Sequence, residues 1–213
     1  MENIYRWHNE TLGKQVVKAL EKNDFHAIYF DTKEQAENFI IYHVKQDDKV
    51  GFGGSMTIKS MNLEKKIVKI GATVLDHGVK GLSKEEKLEV MRQELTSDLF
   101  LCSSNAVTLS GELINVDGTG NRVAALSFGP KKVIVVVGIN KIVSNVEEGI
   151  NRIKLIAAPK NNKRLGFNNP CIFTGHCENC NAQNRICRIY SILRKKPMLS
   201  DVSVVIVGEE LGY

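Results

Sequence analysis

What the chain lacks narrows its function before any motif is read. It has no run of about 18 apolar residues, so a membrane-crossing helix is not expected. The stretch from Met1 to Gln15 has neither the basic start nor the apolar run of a secretory leader, which makes the cytosol the expected compartment. Thiols stay reduced there, so disulfides are a poor explanation for the cysteines. No internal repeat and no low-complexity tract interrupts the chain. Its glycine-rich turn, Gly51 to Thr57, carries no Gly-Lys-Ser/Thr Walker ending and no Gly-x-Gly-x-x-Gly fingerprint, which removes the two commonest nucleotide signatures.

What is present suits one folded domain. The 213 residues, 43% apolar and 25% charged, are enough for a sizeable core in a single α/β domain spanning 1–213. The net charge of +5 is unevenly spread. Residues 151–200 hold ten Lys and Arg against one acid, Glu178, or +9. Such a field can offset thiolates or attract a small anion. Its bases are scattered and its aromatics few (Phe167, Phe173, Tyr190), which weighs against a nucleic-acid surface. Self-association into a homo-oligomer is left open.

Strand and helix patterns alternate along the chain. Helices are expected at His8–Lys22, after the Asp31–Thr32 cap, at Lys84–Leu95 and from about Asn145 to Ile156. Strands are expected at Phe25–Phe30, Lys49–Phe52, 67–76, 98–103 and 111–118. The run "KVIVVVGI" (132–139) has the character of a central strand covered on both faces, and "VSVVIVGEE" that of a last strand returning to the sheet. After Pro159, "KNNKRLGFNNP" suggests a loop, and "ICRIYSILRKK" a short helix. The alternation predicts an α/β layered sheet with largely parallel pairing and a cysteine-rich insertion at about 160–197. Cys102, in the apolar 98–103 strand, is expected to be a buried small hydrophobe.

Two loops are candidate ligand sites. In the first, Gly53 and Gly54 would let the backbone approach a ligand, Ser55 and Thr57 would add hydroxyls, and the helix start beyond them would favour an anion. A plain strand-to-helix turn capped by Ser55 explains the same residues. In the second, Asn105, Asp117, Gly118, Gly120, Asn121 and Arg122 cluster around strand ends. Arg122 could grip a phosphate or carboxylate through two parallel hydrogen bonds, or simply pair with Asp117 across a turn. Glu112 as a base competes with an ordinary solvated glutamate.

Four of the five cysteines, Cys171, Cys177, Cys180 and Cys187, lie within seventeen residues. One Cys-x2-Cys pair can grip a metal from a single turn, with flanking cysteines completing four ligands. The second pair usual in zinc sites is missing, and ferredoxin spacing is not matched. Polar neighbours (Glu178, Asn179, Asn181, Gln183, Asn184) oppose a purely packed role. The alternatives are an iron–sulfur cluster, a structural zinc, a redox dithiol or disulfide, and free thiols.

The segments "GFGGSMT", "SSNAVTLSGELINVDGTGNRVAALSFGPKKVIVVVGINKIV" and "RIKLIAAPKNNKRL" resemble the lactate-utilisation (LUD) domain family over most of the chain. The resemblance implies a three-layer α/β/α fold shared with ribose-phosphate isomerases, glucosamine-phosphate deaminases and coenzyme A transferases. In those relatives the glycine-rich loop holds the phosphate or carbonyl end of the substrate, which favours the ligand reading of Gly53, Gly54, Ser55 and Thr57. It further implies a part in oxidising lactate to pyruvate with iron–sulfur partner proteins. The ferredoxin-like motif of larger members is absent here. That association makes an iron–sulfur cluster the leading reading of the cysteines, with zinc as the alternative. The corresponding alternative function is a transferase- or isomerase-like enzyme for a phosphorylated or coenzyme A-linked metabolite.

Overall fold

The computed structural model describes residues 2–213. The chain runs α1 (Glu2–Lys22), β1 (His26–Phe30), α2 (Lys33–Tyr42), β2 (Lys49–Phe52), α3 (Met56–Lys59), α4 (Glu64–Ile70), β3 (Thr73–Asp76) and α5 (Lys84–Glu94). It continues through β4 (Leu99–Cys102), β5 (Ala106–Thr108), β6 (Leu113–Asp117), α6 (Asn121–Ser127), β7 (Lys132–Gly138), β8 (Ile142–Val143) and α7 (Val146–Arg152). Then come a π-helical turn (Ile153–Ala157), α8 (Ala158–Leu165), α9 (Cys171–Thr174), β9 (Ile189–Leu193) and β10 (Asp201–Val207).

Six strands form a central sheet in the order β1-β10-β7-β4-β2-β3, with every pairing parallel. β7 lies inside it, as its unbroken branched run requires, and Val133 through Val137 are all buried. Ile134 and Val136 enter one core with Ala36 and Ile40 of α2, Ile58 of α3 and Ile67 of α4. Val133, Val135 and Val137 enter a second core with Val16 and Leu20 of α1 and Ala125 and Leu126 of α6. Each such Val, Leu or Ile side chain contributes about 1.5–3 kcal/mol on burial. A parallel sheet flanked by helices on both faces is the expected three-layer arrangement.

A second sheet, β8-β5-β6-β9, goes beyond the expected architecture. Val107, Leu113 and Leu193 bring it against the second core of the main sheet. Its outer face packs Ala106 and Ile114 against Ile153, Ala158 and Cys187. β6 pairs antiparallel with β5 and β9.

Three local expectations are corrected. Residues 67–70 complete α4, whose left-handed cap at Gly71 (φ 95°) separates it from β3, so the strand begins only at Thr73. Pro159 does not end the preceding helix. It sits in the first turn of α8, where a proline's missing N–H is tolerated, and the helix runs to a glycine cap at Gly166. The "ICRIYSILRKK" segment is the strand β9, because pairing with β6 satisfies its backbone and buries Leu193.

Candidate functional site

The loops after β2, β3, β4 and β7 meet above the carboxyl ends of the central strands, where parallel sheets usually place ligands. With the β6–α6 loop and the stretch Gln183–Arg188 they enclose a cleft of about 730 Å³. Gly53, Gly54, Ser55, Thr57, Asn105, Asp117, Gly118, Asn121 and Arg122 all line it. Gly120 does not. Its left-handed backbone (φ 93°) instead starts α6, with β9's Ile189 packed beside it.

The glycine loop owes its sequence to close packing. Gly54 has φ 68°, and a Cβ there would stand 3.2 Å from Nε2 of His77. Ser55 caps α3 by accepting the Ile58 N–H at 3.4 Å, as the plain-turn reading expects. α3 is only four residues long, so little helix dipole is on offer to an anion.

The cation at the cleft floor is Lys141, which was not singled out in the sequence. It closes a 3₁₀ turn after β7 and is only 2% exposed. Its Nζ donates to Thr57 Oγ1 at 2.8 Å and Ser103 Oγ at 3.0 Å. Those hydroxyls donate onward to the Leu211 and Ser104 carbonyls, so Lys141 has neutral partners and no carboxylate among the described residues. Burial, reinforced by Arg152 and Arg122, brings its pKa down to about 7. With Cε and two hydroxyl partners in place, one tetrahedral direction at Nζ is left over. His77, after β3, is the other side chain passed over. Its Nδ1 lies 2.7 Å from Oε1 of the fully buried Glu94. Both residues stand just beyond the carboxyl end of a parallel strand, and that position is the signal that could have found them.

Arg122 is held from within. It pairs with Asp117 and donates to the Ser103 carbonyl at 3.2 Å, the Val116 carbonyl at 2.7 Å and Asn105 Oδ1 at 3.1 Å. Asp117 also accepts the Val123 N–H at 2.9 Å, tying the start of α6 to β6. The internal pair with Asp117 is formed, and among the described residues the guanidinium's Nε is buried without a partner. The cleft is nevertheless positive: Lys59, Lys87, Arg164, Arg185 and Arg188 join Lys141 and Arg122 on its lining, against Glu64, Asp76 and Asp117. Cys102 lies at the end of β4, fully buried, where desolvation pushes its thiol up to about 12. It is a core residue.

The other four cysteines converge. Cys171, Cys177, Cys180 and Cys187 all border one void of about 10 Å³ behind the cleft wall, with Cys171 and Cys187 buried and the other two half-buried. Arg185 donates to the carbonyls of Cys180 (2.6 Å) and Cys187 (2.8 Å) and lines both void and cleft. Asn179 adopts a left-handed φ of 46°, and its N–H reaches Cys177 Sγ at 3.3 Å. Among the described residues, no group of three or more His, Cys, Asp or Glu side chains is arranged as a ready metal site.

A layered α/β domain with its site over the carboxyl ends of parallel strands is a ligand-binding class shared by many functions. Within it, the LUD domain family model matches residues 13–207, and the chain belongs to that family, which is related to lactate utilisation. A DUF162 family protein from Deinococcus radiodurans has a similar structure, with TM-score 0.50 and 15% identity, covering 93% of this chain and 98% of that one. eIF2B beta from Chaetomium thermophilum matches with TM-score 0.37 and 17% identity, over 54% of this chain and 43% of that one. No curated protein matches the sequence.

Proposed function

We propose that the cleft binds a small anionic metabolite, a carboxylate or phosphate ester, and that the chain assists oxidation of lactate to pyruvate alongside iron–sulfur partner proteins. One observation carries the binding reading: Lys141 is a buried amine at the cleft floor whose only partners among the described residues are hydroxyls. An ammonium so placed lacks the opposite charge that would offset its desolvation, and an anionic ligand supplies it. The surrounding bases steer such a ligand inward. Titration calorimetry with lactate, pyruvate, inorganic phosphate and a sugar phosphate tests this. At least one is expected to bind, and Lys141→Met to weaken that binding about a hundredfold or more. Retention of full affinity by the variant would remove the reading.

The four thiols are read here as a one-ion structural site, with zinc as the fitting metal. The support is their convergence on one void and the Asn179 N–H directed at Cys177 Sγ, a contact that stabilises a thiolate. Half-buried Cys177 and Cys180 would turn toward the buried pair to complete four ligands. The ion would supply cross-linking of the cleft wall and no redox chemistry, leaving electrons to the partner proteins. Metal analysis of fresh protein is expected to give one zinc per chain. A brown protein with a broad visible band would favour the cluster instead.

A further inference from the structure

Glu94 and His77 form an ordered pair to which anion binding gives no task. Glu94 lies wholly buried at the end of α5. Its Oε1 accepts His77 Nδ1 at 2.7 Å and the His77 backbone N–H at 3.3 Å, while Oε2 accepts Nδ2 of Asn121 at 3.3 Å. No Lys or Arg pairs with it among the described residues. These contacts hold the imidazole in place and favour a hydrogen on Nδ1, which leaves a lone pair on Nε2. Nε2 has no hydrogen-bond partner among the described residues and faces Gly54 on the cleft lining. The same loop leads in three residues to Thr57, which holds Lys141. His77 and Lys141 both line this one cleft.

We propose that His77 is the proton-accepting catalytic residue of the cleft, with Glu94 as its positioning residue, acting on a hydroxyl-bearing anion seated on Lys141. The proposal rests on the anion-binding reading and adds the reacting group to it. In the step, the O–H bond of the ligand breaks and its electron pair stays on the ligand oxygen. The proton forms the new N–H bond at Nε2, and the imidazolium keeps its Nδ1–H on Glu94. Only a proton moves, and no oxidant or reductant enters. A carboxylate behind a histidine serves such a step by fixing the tautomer and stabilising the imidazolium.

Two measurements on the full chain decide it. Nitrogen NMR of histidine-labelled protein, with His77 assigned through His77→Phe, is expected to show Nε2 unprotonated, and Glu94→Gln to shift the tautomer. An Nε2-protonated ring, or a signal indifferent to Glu94→Gln, overturns the pair. Lactate and propionate differ only in the hydroxyl. The native protein is expected to bind lactate about tenfold more tightly, because a site built to pair with a hydroxyl disfavours the ligand lacking it. His77→Phe should erase that preference, so that lactate and propionate bind alike. Equal binding of both by the native protein overturns the role of His77 and leaves anion binding standing. Binding of neither overturns this ligand class and with it the role of His77, while the anion reading is judged by phosphate and the sugar phosphate.

Discussion

The floor of the cleft and its outer wall are built in opposite ways. Ser103 directly follows β4, Lys141 closes the turn after β7 and Thr57 sits on α3 just beyond β2, and the backbones of these three strands are locked by parallel ladders on both sides. The wall, residues 166–188, contains one helical turn and is held mainly by side chains reaching carbonyls: Arg185 to Cys180 and Cys187, Arg188 to Gln183, and Asn169 to Asn184. Hence the sheet fixes the charge, while local cross-links fix the enclosure.

Substitutions can break that contrast at either end. Arg122→Ala should have the largest effect on folding, about 3–5 kcal/mol, since it strands the buried Asp117 carboxylate. Denaturant unfolding would measure it. Lys141→Met should do the reverse: anion affinity falls about a hundredfold or more, while the protein gains on the order of 1–4 kcal/mol, because Thr57 and Ser103 keep their carbonyl acceptors. Loss of stability in that variant would mean the amine is structural.

The pH dependence follows from the same lysine. Its folded pKa of about 7 lies below the unfolded value near 10.5, so between these values the unfolded chain binds the extra proton. The desolvation penalty is therefore full below pH about 7 and is lifted as pH rises toward 10.5, so this group's contribution to stability increases across that window. An anion requires the ammonium, so affinity should fall up to about tenfold per pH unit above about 7, flattening in Lys141→Met. Calorimetry from pH 6 to 9 covers the range.

At the wall, Cys177→Ser with Cys180→Ser should release any zinc and loosen residues 166–188, lowering stability by about 2 kcal/mol. Hydrogen exchange should quicken there and leave β7 protected. The smallest expected effect is Gly54→Ala, about 1 kcal/mol from the left-handed backbone, together with displacement of His77.

Several of these features were legible in the residues themselves. The branched run at β7, the capped helices α2 and α5, and the glycine turn each carry a local signature that survives in the fold. Asp117 and Arg122 were legible as neighbours, but their spacing suited both a ligand clamp and an internal pair. Burial among the Ser103 and Val116 carbonyls is what brings the guanidinium's hydrogen bonds inward. β9 is ambiguous in the sequence because Ile, Tyr, Ser, Ile and Leu in succession lack a decisive period, and the open edge of β6 settles its conformation. The cysteines' gathering was suggested by their spacing, whereas the size of the space between them was not.

The sequence by itself determined a layered α/β domain, a glycine turn at a strand end and four thiols within one short segment, because each depends on neighbours along the chain. The tertiary structure alone decided that Lys141 and His77 face one cleft and that the cysteine segment walls it. Lys141 and Thr57 are 84 residues apart, and only the packing of parallel strands side by side brings them to hydrogen-bonding distance in a place where water no longer sets the charge.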